Sequence, residues 1–81
     1  LAVRLTLYGR SYCHLCEDML RALEGMQSEL RFTVEVIDVD SDPALEARYG
    51  EYVPVLVDPE GREICHYFLD LTALTDRLAV K

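Results

Sequence analysis

An α/β fold of element order βαβαββα, with a four-stranded mixed sheet and helices on both faces, is what these 81 residues predict. Three observations carry that prediction. An apolar, β-branched stretch, Val3-Arg4-Leu5-Thr6-Leu7, gives way to apolar residues at helical spacing. A second β-branched stretch follows that helix, and a strand–helix–strand unit crosses over right-handed to make its two strands parallel. Two later strand-like segments are separated only by Asp58-Pro59-Glu60-Gly61, a connection so short that it implies an antiparallel hairpin.

Each element has a local reason. Val3 to Tyr8 is the first strand, with Arg4 and Thr6 its only polar members before the terminal tyrosine, and Gly9 to Tyr12 is a loop. From Cys13 to about Ser28, Cys16, Met19, Leu20, Leu23 and Met26 share one helical face, while Glu17, Arg21 and Glu24 take the other. Phe32 to Val39 alternates around Thr33, Glu35 and Asp38 as a second strand. Asp42 then offers an N-cap, and Pro43 fits the first helical position, where its missing N–H costs nothing. Ala44, Leu45 and Tyr49 give this short helix an apolar face, and Gly50 is its expected stop. Val53 to Val57 and Arg62 to Tyr67 are the hairpin strands, and Asp70 caps a last helix whose Leu71, Leu74 and Leu78 share a face. No repeat or linker interrupts the chain, so one domain over residues 1–81 is expected. This element order resembles the thioredoxin fold in its short form, with helices covering both faces of the sheet.

The chemistry lies in Cys13-His14-Leu15-Cys16. If Cys13 opens the first helix, its sulfur faces unpaired backbone N–H groups and the positive end of the helix macrodipole. Such a place favours thiolate over thiol, and the thiolate is the nucleophile of disulfide exchange. Cys16 lies one turn further on, close enough to form a disulfide with Cys13.

Composition narrows the function. Half the residues are hydrophobic, enough for a folded domain, and three cysteines are too few for a secreted disulfide scaffold. A reducing, cytoplasmic setting is expected, where a CxxC pair is metal-binding or redox-active. Neither a charged-then-apolar leader nor a run of about 18 apolar residues is present, so no signal peptide and no membrane contact are expected. Fifteen acidic against eight basic side chains give a net charge of −7, which repels nucleic-acid phosphates and could steer a basic partner.

Tyr8-Gly9-Arg10-Ser11-Tyr12-Cys13-His14-Leu15-Cys16 resembles the active-site stretch of glutaredoxins, and Tyr52-Val53-Pro54 resembles their cis-proline segment. The likeness covers nearly the whole chain and is nearest to the small glutaredoxin-like proteins of bacteria. It implies Cys13 as nucleophile and Cys16 as resolving thiol. It implies a substrate-binding rim of Arg10, Tyr12, Val53 and Pro54, with Arg10 where the family carries a glutathione-contacting lysine. Pro54 is then cis, freeing the Val53 backbone to pair with a peptide-like substrate. The implied partner is a disulfide-containing protein or a glutathionylated substrate, met by a monomer with no tightly bound cofactor and with glutathione as candidate co-substrate.

Three departures from the family pattern bear on this. His14 and Leu15 replace the usual proline and tyrosine, and a protonated imidazole beside Cys13 would stabilise the reduced state. Tyr52 replaces a threonine. His66 and Tyr67 stand where a glycine pair, followed by an aspartate matched by Asp70, binds the γ-glutamyl end of glutathione. The close backbone approach that glycine permits is lost there, which sets glutathione binding against a protein dithiol as reductant.

Other readings compete. Cys65 in the fourth strand is a core hydrophobe in the plain reading. Zinc held by Cys13, Cys16, Cys65 and His66 fails, because adjacent strand residues point to opposite faces. Haem attachment fails because Glu17, not histidine, follows Cys16. An iron–sulfur cluster-binding glutaredoxin-like protein would need glutathione as a ligand, and a redox-inactive thioredoxin-fold binding module would normally have lost a cysteine.

Overall fold

The computed structural model describes residues 3–79, so the outermost residues of the expected domain, 1–2 and 80–81, lie outside the described residues. Strand β1 (Val3–Gly9), helix α1 (His14–Leu30) and strand β2 (Phe32–Asp38) come first. A single 3₁₀ turn (Val39–Ser41) leads into helix α2 (Pro43–Tyr49), followed by β3 (Val55–Val57), β4 (Glu63–His66) and helix α3 (Leu71–Ala79). The sheet order is β2-β1-β3-β4. β1 runs parallel to β2 and antiparallel to β3, and β3 is antiparallel to β4. The βαβαββα order and mixed sheet are those the sequence predicts.

Position in the sheet explains which side chains are buried. β1 is central, so Leu5 and Leu7 are buried on one face. They share a core with Met19 and Leu23 of α1, Leu56 of β3, Cys65 of β4 and Leu74 of α3. Tyr8 takes the opposite face by strand alternation and stacks on Tyr49 of α2, with ring centroids 4.3 Å apart. Burial against that ring pushes the Tyr8 phenol above its ordinary pKa. Along β1 the cover on this second face thins toward the start of the strand. Arg4 is exposed and Thr6 half-buried, so β1 is not enclosed on both sides along its length.

The local signals behave as their chemistry requires. The Asp42 carboxylate accepts the Ala44 N–H at 2.9 Å, and that of Asp70 accepts the Ala73 N–H at 3.0 Å. Boundaries differ where tertiary geometry intervenes. α1 runs two residues past Ser28 and ends at Arg31 in the left-handed conformation, φ 56°. β2 stops at Asp38, because that carboxylate accepts the Asp40 N–H at 2.8 Å and turns Val39 into the 3₁₀ segment. β3 begins at Val55 rather than Val53, after the proline, and β4 is trimmed to Glu63–His66. Gly50 ends α2 as expected, in the right-handed conformation (φ −55°).

Candidate active site

The C-terminal end of β1 delivers the dithiol. Cys13 is the N-cap of α1 with extended backbone (φ −107°, ψ 104°), and its Sγ accepts the Cys16 N–H at 3.1 Å. A sulfur in that place meets one of the four orphan amides of a seventeen-residue helix and the positive end of its dipole. Cys13 and Cys16 are joined as a disulfide, with Cα atoms 5.2 Å apart. Their surroundings differ. Cys13 is half-buried and reachable from solvent, whereas Cys16 is buried at 8% exposure.

Gly9 lies directly beneath the pair. A β-carbon there would stand 3.1 Å from Cys16 Sγ and 3.2 Å from its Cβ, so any larger residue crowds the inner sulfur. Sequence reading treats Gly9 only as the start of a loop, and the signal for its role is that the last residue of a buried strand carries no side chain.

The Val53–Pro54 peptide is cis, as the family resemblance implies. The register Tyr8↔Val55 sets residue 54 level with Gly9, at the same end of the sheet as the cysteines. Pro54 is buried, and Val53 precedes β3 outside its ladder with β1. Tyr12, next to Cys13, is fully exposed and holds φ 61°, a left-handed conformation rare for an aromatic residue. His14, the first residue of α1, is exposed.

Arg10 lies under the loop, with its Nη2 3.4 Å from Asp40 Oδ1 and 3.3 Å from Glu46 Oε2. Together with Cys16, Glu17 and Asp38 it lines a cavity of about 260 Å³ between α1 and β2. The guanidinium is thus occupied by carboxylates of the 3₁₀ turn and α2, an arrangement that residue types and spacing did not reveal.

The glycine pair is replaced in an unexpected way. Tyr67 keeps a glycine-like φ of 64°, and its N–H donates to the Pro54 carbonyl at 2.9 Å. Its hydroxyl donates to the Glu51 carbonyl at 3.0 Å. The ring packs edge-on against His66, centroids 4.7 Å apart, and His66 packs likewise against Tyr52 at 5.7 Å. A left-handed backbone stands at Tyr67, and the rings of Tyr52, His66 and Tyr67 pack together beside the cis-proline.

Cys65 belongs to the core, as the plain reading expects, and burial pushes its thiol above the ordinary value. His66 next to it is exposed, so the two do face apart.

Comparison with known proteins agrees with this geometry. The family model described as Glutaredoxin-like domain (DUF836) matches residues 4–79. An uncharacterised protein of Mycobacterium tuberculosis is 32% identical over 72 residues, covering 83% of this chain and 73% of its own. The solution structure of protein Ne2328 from Nitrosomonas europaea superposes with a TM-score of 0.89 at 40% identity, covering 98% of this chain and 94% of that one. Thioredoxin 1 of Thermosipho africanus shares the fold, with a TM-score of 0.60 at 19% identity over 90% of this chain and 86% of its own. Among the described residues no helix is long and apolar enough to cross a membrane.

Proposed function

We propose that this chain, which belongs to the glutaredoxin-like domain family, is a thiol–disulfide oxidoreductase with Cys13 as nucleophile and Cys16 as resolving thiol. The observation that carries the reading is the Cys13 sulfur at the head of α1, receiving the Cys16 amide while Cys16 itself is buried. The Cys13 thiolate attacks one sulfur of a substrate disulfide. A Cys13–substrate bond forms as the substrate bond breaks, and the departing thiolate takes a proton. Cys16, losing its own proton, attacks Cys13 Sγ and releases the second substrate thiol. The substrate gains two electrons, the pair loses two, and an external dithiol or two glutathione molecules restore it. Burial restricts Cys16 to this internal role, because no bulky substrate sulfur reaches it.

The substrate is a protein disulfide or a glutathionylated protein, and the protein acts as a cytoplasmic monomer without a bound cofactor. The Val53 backbone beside Pro54 pairs with an extended substrate segment, and Tyr12 covers it. Cys16→Ser tests the order of events. With a protein disulfide, that variant accumulates a covalent adduct equal in mass to protein plus substrate, released by dithiothreitol. Absence of the adduct, or its formation by Cys13→Ser instead, contradicts the assignment.

Tyr12 gives a separate test. Its left-handed backbone costs roughly 1 kcal/mol, and a glycine there would cost about 0.5–1 kcal/mol through unfolded-chain entropy. The two nearly cancel, so Tyr12→Gly melts within a few degrees of wild type. The lost aromatic contact then raises the half-saturating concentration of a protein substrate about threefold to tenfold. An unchanged concentration removes Tyr12 from the binding rim.

A further inference from the structure

We infer that Asp40 and Glu46 are specificity-determining residues that make the dithiol site reject anionic disulfides and select a protein disulfide flanked by lysine or arginine. The inference rests on the exchange chemistry proposed above and narrows its substrate to the protein disulfide, against the anionic glutathionyl group.

Three observations support it. Arg10 is the only basic side chain among the described residues lining the cavity beside Cys16, and Asp40 and Glu46 both hold its Nη2. Its Nε is buried with no hydrogen-bond partner, so the position of the group is set from the carboxylate side. Glu17 and Asp38 border the same cavity, so two acidic side chains line it beside a guanidinium that two further carboxylates already hold.

The consequence is electrostatic. A substrate carboxylate approaching Arg10 meets a guanidinium whose charge Asp40 and Glu46 already offset at Nη2, with Glu17 and Asp38 along the same cavity. A cationic side chain flanking the scissile disulfide meets a net negative rim without displacing anything. The −7 charge of the whole chain adds steering of the same sign. Asp40 and Glu46 act through Arg10 and through the field, not on the sulfur atoms, and are positioning residues in that sense.

Two peptides with one cysteine each, joined as a mixed disulfide to uncharged 2-thiopyridine, provide the test. One carries flanking lysines and the other flanking glutamates. Reduced protein, freed of reductant, is mixed with excess peptide and thiopyridone release is followed in a single turnover. Wild type prefers the lysine peptide by at least about tenfold in rate over half-saturating concentration, and about 0.5 M salt erases most of the preference. The double variant Asp40→Asn, Glu46→Gln narrows the preference to about threefold or less. That change lies in the half-saturating concentration of the glutamate peptide rather than in the limiting rate. Both side chains are half exposed, and a melting curve checks that the variant is folded. A wild-type preference within about twofold, or one untouched by the double substitution, overturns the inference.

Failure of the redox reading is separable. If no thiopyridone is released, the two peptides with serine for cysteine are titrated into the oxidised protein. Tighter binding of the lysine peptide then supports charge selection without exchange chemistry, and equal or absent binding of both overturns it.

Discussion

Cys13→Ser lowers the rate of protein-disulfide reduction by at least about a thousandfold, to the uncatalysed level. A serine hydroxyl at the head of α1 receives the same amide but does not ionise near neutral pH, so no nucleophile is left on the solvent side. Cys16 does not replace it, because it is buried at 8% exposure above Gly9. Loss of folding is not a competing explanation, since serine is among the best N-cap residues. The variant therefore melts close to the reduced wild type while losing turnover in an insulin-reduction or peptide-disulfide assay. Full activity in Cys13→Ser contradicts the assigned roles.

Asp58→Ala has the largest expected effect on stability. The Asp58 side chain is buried at 3% exposure, and its Oδ1 accepts the Glu60 and Arg62 amides at 3.0 and 2.9 Å. Its Oδ2 pairs with Arg77 Nη1 of α3 at 2.6 Å, and Arg77 Nη2 donates to the Glu63 carbonyl at 3.3 Å. One carboxylate thus closes the β3–β4 turn and clamps the last helix to it. Alanine leaves two amides and a half-buried guanidinium without their acceptor, which costs about 2–3 kcal/mol. In a domain of this size that lowers Tm by about 10–20 °C.

The same residue sets a pH dependence. Burial alone would raise the Asp58 pKa, but the hydrogen bonds from Arg62, Arg77 and Glu60 outweigh it and hold the carboxyl below its ordinary value. A depressed folded value means the stabilisation is complete above the unfolded pKa of about 4 and is lost as pH falls through the folded one. Urea unfolding at about pH 7 and about pH 3 reads this directly. The gap between wild type and Asp58→Ala narrows at the lower pH, and a gap constant across that range contradicts the assignment.

What the sequence disclosed and what it hid divide along sequence distance. Asp42-Pro43 and Asp70 are legible because a cap and its amides lie within three residues, and the CxxC follows the same rule. The cis bond at Pro54 came through family likeness, not through propensity. The Arg10–Glu46 contact spans 36 residues and the Asp58–Arg77 pair spans 19, and neither follows from local pattern. Edge position was also hidden. β2 carries the apolar alternation of a covered strand, yet it ends the sheet and leaves Val36 53% exposed. Tyr67 shows a further limit, since a tyrosine in a glycine-like conformation is chosen by its bonds to Pro54 and Glu51, which no composition rule anticipates.

The proposed exchange requires the head of α1 to stabilise sulfur as an anion at Cys13. Alkylation of the reduced protein by iodoacetamide across pH, with the site of modification read by mass, tests this. Cys13 is expected to be modified first, with the midpoint of its rate profile below about 8.5, the ordinary thiol value. A midpoint at or above that value, or preferential modification of Cys16, would contradict it.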